Sequence, residues 1–151
     1  MIYVECKADK VLIENLGILK EEIYHCGGKG RVMSKLLKGE KNYALIDEDP
    51  RSPQPRSLKI FDKKKEKYNI KILCDKKENK LIILCPNLET WILKVAEKNG
   101  IDVKKYGLPQ DFNELHRIIN IILDSLKTLV KDLKNSEEFI FLKNLLIHKN
   151  E

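Results

Sequence analysis

The chain has little of what staples or metallates a small protein. Its four cysteines, Cys6, Cys26, Cys74 and Cys85, include no C-x-x-C pair, and each lies at or beside an apolar run. This excludes the usual zinc spacings and points to reduced, buried thiols, with Cys74 and Cys85 able to face each other across a hairpin. No apolar run approaches the ~18 residues of a membrane span, and the chain opens directly on the strand-like "MIYVE". The expectation is a cytoplasmic protein with no membrane partner. Internal repeats and low-complexity segments are lacking too. His25, His116 and His148 are dispersed and form neither a metal trio nor a nucleophilic triad, and "HCGGKGR" lacks the spacing of a nucleotide-binding P-loop.

What is present suffices for one domain. A chain of 151 residues buries about two thirds of its unfolded surface without cross-links. The net charge of +6 is unevenly placed: residues 51 to 80 carry 11 basic and 4 acidic side chains, and the rest of the chain is close to balanced. A basic patch directly after an acidic cluster suits a polyanion held against a metal site. Taken alone, "DKKKEK" and "DKKENK" read as a solvated helix face and a hairpin tip.

Short continuous apolar runs, Ile2 to Val4, Ile23 to Cys26 and Tyr43 to Ile46, alternate with helical stripes at Val11, Leu12 and Leu16 and at Val32, Met33, Leu36 and Leu37. That alternation indicates an α/β fold with a mostly parallel sheet covered by helices on both faces. Leu58, Phe61 and Tyr68 mark a charged helix with a narrow apolar stripe, and "IKILC" and "LIILC" form an antiparallel edge hairpin. Asn87 caps a helix through Trp91, Ile92, Val95 and Ala96, closed by Gly100. One long helix carries Phe112 through Leu133, and Ser136, Glu137 and Glu138 start a last one. "IINIIL" makes the long helix apolar around much of its girth, so it is either sandwiched between layers or part of a dimer interface.

The carboxylates stand where such a sheet binds ligands. Glu5 ends the first strand, and "DEDP" ends the third, which places Glu5, Asp47 and Asp49 at the carboxyl ends of parallel strands. Period-two alternation sets Asp47 and Asp49 on one side and Glu48 on the other. Convergent carboxylates repel unless they take up protons or a cation. Oxygen donors favour Mg²⁺ or Mn²⁺. Separately, each motif is ordinary: D-E-D-P suits a turn, and Asp9 and Glu89 suit helix N-termini.

In order along the chain, "VECKAD", a glycine turn, "LIDED" and a later "PNLETW" resemble the Toprim domain, the catalytic module shared by topoisomerases, bacterial primases and OLD-family nucleases. The resemblance spans about residues 1 to 98. It implies a Toprim-like Rossmannoid domain over residues 1 to 100, with residues 101 to 151 as a helical C-terminal extension packed on that domain or at a homodimer interface. It also implies Glu5, Asp47 and Asp49 as the catalytic, metal-holding trio, with Asp9 and the second-ion candidate Glu89 as further ligands of Mg²⁺ or Mn²⁺. The glycine that usually follows the Toprim glutamate is Cys6 here, and a side chain at that place narrows the cleft.

The expected function is metal-dependent cleavage of phosphodiester bonds in DNA or RNA, with Lys7, Lys29, Arg31, Arg51 and Arg56 holding phosphates. The alternative is a Toprim-like scaffold that binds nucleic acid or protein without cutting. A Mg²⁺-dependent phosphatase or receiver-like domain is disfavoured, because those folds place an aspartate where this chain has Glu5. No tyrosine has a recognisable topoisomerase motif around it.

Overall fold

A computed structural model describes residues 1–147. His148, one of the dispersed histidines, lies outside the described residues. The elements run β1 (Ile2–Val4), α1 (Lys7–Glu14), β2 (Ile23–His25), α2 (Lys29–Leu37), β3 (Tyr43–Asp47), β4 (Asp62–Lys67), β5 (Ile70–Cys74), β6 (Lys80–Leu84), α3 (Leu88–Lys98), α4 (Phe112–Ile118), α5 (Leu123–Leu133) and α6 (Glu137–Ile147). One six-stranded sheet has the order β2-β1-β3-β6-β5-β4. The first four of these strands are parallel, and β5 and β4 add antiparallel pairs at one edge.

The apolar runs are continuous because both faces of the central strands are covered. Along β3 and β6, Tyr43, Leu45, Ile82 and Leu84 enter one apolar cluster, and Ala44, Ile46, Leu81 and Ile83 enter the other. The larger cluster also takes Leu12 and Ile13 of α1, Trp91, Ile92 and Val95 of α3, and Leu115, Leu129, Phe139 and Leu142 from the three C-terminal helices. The smaller is closed by Val32, Met33 and Leu36 of α2 with Phe61. Trp91 is a core residue: its ring stacks on Phe139 at 5.3 Å between centroids, and its indole N–H donates to the Tyr68 carbonyl. Asn87 caps α3 by accepting from the Thr90 N–H at 2.8 Å. Among the described residues no helix is long and apolar enough to cross a membrane.

Three sequence expectations are corrected. Residues 58 to 68 do not form a helix: a short 3₁₀ turn, Arg56–Ile60, leads into β4, whose side chains are all exposed. Tyr68 and Asn69, both at positive φ, make the two-residue turn that joins β4 to β5. Lysines along such an edge also discourage pairing with another chain. The long helix is broken between α4 and α5, where the Asn120 side chain accepts from the Ala8 N–H at 3.2 Å. Cys74 and Cys85 do not face each other, because Cys74 pairs with Lys80 at one end of the hairpin and the Cys85 N–H reaches the Asn69 carbonyl at the other.

Candidate functional site

The chain reverses its direction of travel across the sheet between β1 and β3: β2 lies on one side of β1 and β3 on the other. The crevice above such a switch point is where open α/β sheets hold ligands. Glu5 follows β1 directly, Asp47 is the last residue of β3, and Glu89 is the second residue of α3, reached from β6 through the cis Cys85–Pro86 bond. Asp9 rises from the first turn of α1.

These side chains are interlocked through the backbone. Glu5 Oε1 accepts from the Asp47 N–H at 2.8 Å, and Asp47 Oδ1 accepts from the Leu88 N–H at 2.9 Å. β1, β3 and the start of α3 are thereby tied by two carboxylates. Asp9 Oδ2 accepts from the Cys6 N–H at 3.0 Å and from its thiol at 3.2 Å, so the Asp9 carboxylate closes back on the residue that begins α1. Gly27, at φ +89°, donates its N–H to the Glu5 carbonyl at 2.9 Å. That N–H of the glycine turn therefore braces the site.

Asp9 and Glu89 are only 2% and 4% exposed, and Asp9 Oδ1 and Glu89 Oε2 are buried with no hydrogen-bond partner. Buried, unpaired carboxylate oxygens are costly unless a proton or cation meets them. The electrostatics agree. Burial pushes Asp47 up to about 9, and the charges of Asp9, Glu5, Glu89 and Asp49 push in the same direction. Burial raises Asp9 to about 7 against its bonds from Cys6, with Glu5 and Glu89 adding to the rise. Glu5 is raised by burial, with Asp49 and Glu89 adding to the rise and the Asp47 N–H and Lys29 opposing it.

The structure thus brings together Glu5, Asp9, Asp47, Asp49 and Glu89 as one electrostatic cluster. The donor set is all oxygen and suits Mg²⁺ or Mn²⁺. Among the described residues no three such groups already stand at metal-ligand spacing. One oxygen each of Glu5, Asp9 and Asp47 is engaged by an N–H, which leaves the second oxygen of each to turn toward an ion.

Asp49 arrives by a route that strand alternation does not describe. It sits at φ +46°, with its N–H on the Pro86 carbonyl, and its carboxylate lies 3.4 Å from Lys29 Nζ. Glu48 points elsewhere and pairs with Lys71. Lys29 also reaches the Glu48 carbonyl and Gln54, while the Gln54 amide donates to the Glu48 and Asp49 carbonyls. Lys29 is therefore a brace of the D-E-D-P loop. Lys7, Arg31, Arg51 and Arg56 are exposed and make no bond to the carboxylate cluster among the described residues.

Two residues at the site carried no sequence signal. His116 Nδ1 stands 3.2 Å from Glu89 Oε1, and its ring stacks on Phe112 at 5.5 Å. Both come from α4, remote in sequence from every carboxylate, and their contacts form only when α4 folds back over α3. Compared with known proteins, the chain matches no family model, no curated protein and no solved structure.

Proposed function

We propose that the chain is a Toprim-like phosphodiesterase that uses Mg²⁺ or Mn²⁺ to cleave nucleic acid. The observation that carries this reading is the cluster of five carboxylates at a switch point, where burial and then mutual repulsion raise proton affinity and two buried oxygens lack partners. Glu5, Asp47 and Asp49 are the groups to hold one ion, and Asp9 and Glu89 are placed to share a second. A bound divalent ion lowers the pKa of water and polarises a phosphoryl oxygen. Glu5, fixed at the end of β1 by the Asp47 N–H through one oxygen, is the side chain to take a proton from the attacking water. The Leu88 N–H holds Asp47 in orientation, and the Lys29–Gln54 brace holds Asp49.

The test is cleavage of single- and double-stranded DNA and RNA with Mn²⁺ or Mg²⁺, comparing wild type with Asp47→Ala. Metal-dependent cleavage lost in the variant supports the reading. Cleavage that survives the substitution removes this site from consideration.

A scaffold that binds nucleic acid or protein without cutting is favoured by one observation: Lys29 already pairs with Asp49. That reading expects salt-sensitive binding that persists in chelator and in Asp47→Ala.

A further inference from the structure

Beside the carboxylates lies a cleft of about 560 Å³, the size of pocket that takes one small organic ligand. Asp49 belongs to both the cluster and the cleft wall, so the cleft opens directly on the proposed reaction centre. The other walls come from Arg51 and Ser52 of the proline loop, from Asn87 and Thr90 at the start of α3, and from Phe112 of α4.

The chemistry of that lining is specific. Phe112 is half-buried and held by the parallel-leaning His116 ring, 5.5 Å away at 27°, and His116 in turn contacts Glu89. An aromatic surface fixed in this way resists turning aside when another ring approaches. Arg51 is exposed and makes no ion pair or hydrogen bond to another described residue. The Ser52 and Thr90 hydroxyls and the Asn87 amide N–H groups also make none, so donors without partners among the described residues line the same space as an aromatic ring.

We propose that this cleft is a subsite for one unstacked nucleotide of a single strand, with its base on Phe112 and its backbone phosphate on Arg51. The inference rests on the nucleic-acid reading above and adds to it that the strand is unpaired next to the carboxylates. A base held within a duplex presents only its edge to the outside, whereas stacking on a protein ring needs its face. The cleft volume is sufficient for one such base. Stacking and phosphate contact read neither the sugar nor the sequence, so a DNA probe is sufficient.

The experiment measures binding of a single-stranded oligodeoxynucleotide carrying 2-aminopurine in chelator, with the same strand in a duplex as comparison. Single strand should bind at least about tenfold tighter than duplex, with 2-aminopurine fluorescence quenched by stacking. Phe112→Ala should weaken single-strand binding about tenfold, the order expected for one lost base–aromatic stack. Phe112→Leu, which keeps the apolar bulk and guards against misfolding, should lose the same affinity, and Phe112→Tyr should restore it. Arg51→Ala should weaken single strand and duplex alike and flatten the salt dependence. Equal affinity for duplex, or wild-type affinity and quenching in Phe112→Leu, overturns the subsite. Failure of the catalytic reading looks different: wild type would bind and quench in chelator but cleave nothing with Mn²⁺.

Discussion

At the amino ends of β3 and β6, Asn79 is fully buried, and each polar atom of its side chain has a partner. Its amide donates to the Gly39 carbonyl at 2.9 Å and to Asp75 at 3.0 Å, and its oxygen accepts from the Asn42 N–H at 3.1 Å. Asp75 accepts in addition from the Asn79 and Lys77 N–H groups. At the carboxyl ends of the same two strands, Asp9 and Glu89 are buried almost as deeply, yet each keeps an oxygen without a partner, and like charges surround Asp47. One end of the sheet holds a closed polar network. The other holds a network that only a proton or a cation completes. A fully satisfied buried network stabilises, and a partly satisfied one is a reservoir of strain or a place for a ligand.

Substitutions at the two ends should therefore have opposite signatures. The largest expected effect is on cleavage: Asp47→Asn should lower Mn²⁺-dependent turnover by roughly a hundredfold or more, while raising the melting temperature in chelator at about pH 9, where the wild-type Asp47 gives up its proton among like charges. Turnover assays and thermal melts of the same preparation check both parts, and a variant that melts lower in chelator would falsify the repulsion account. At the opposite end, Asn79→Ala should cost about 3 kcal/mol in urea denaturation, since three partners lose their bonds. Its residual activity per folded molecule should stay at the wild-type level. A loss of metal dependence there would erase the distinction between the two ends.

Acidity offers a test without mutation. Asp47 and Asp9 hold their protons in the fold up to about 9 and about 7, against an ordinary value of 3.8. The folded state then binds more protons than the unfolded chain through this range. In chelator, the contribution of these groups is fully present at low pH and is lost as pH rises through 7 toward 9. Denaturant titrations between about pH 5 and about pH 9 should show stability falling as pH rises, a fall reduced by Mn²⁺ and absent from the Asp47→Asn, Asp9→Asn pair. The smallest effect is expected at Lys29, whose side chain is 12% exposed and braces Asp49. Lys29→Met should cost about 1 kcal/mol in stability and should tighten Mn²⁺ binding, measured by calorimetry, because a competing cation is gone.

Much of this arrangement could be read along the chain. Continuous apolar runs locate β1, β2 and β3 as parallel strands, since burial on both faces removes the alternation that a half-exposed strand shows; β6, read as half of an edge hairpin, in fact pairs in parallel with β3 inside the sheet. Asn87 and Gly100 bound α3 through the chemistry of their own side chains and backbone. Glu5 and Asp47 could be placed at one sheet edge because each ends an apolar run. β4 escaped notice for the converse reason: an edge strand with every side chain in water has no hydrophobic period to detect, and its three-residue lysine run suits a helix equally well. The break before α5 was hidden because "IINIIL" is apolar on all sides of its one asparagine, and the bond that the distant Ala8 N–H donates to Asn120 at the break leaves no local trace.

Local pattern was thus enough for the alternation of β1, β2 and β3 with α1 and α2, for the mostly parallel sheet and for Glu5 and Asp47 at strand ends, all of which follow from short-range periodicity and the direction of βα units. It could not give the partners those groups acquire. Lys29 as a brace of Asp49, and His116 and Phe112 against α3, depend on contacts between segments that meet only when the helices close over the sheet. Such contacts are fixed by the packing of whole faces, and no single stretch of residues encodes them.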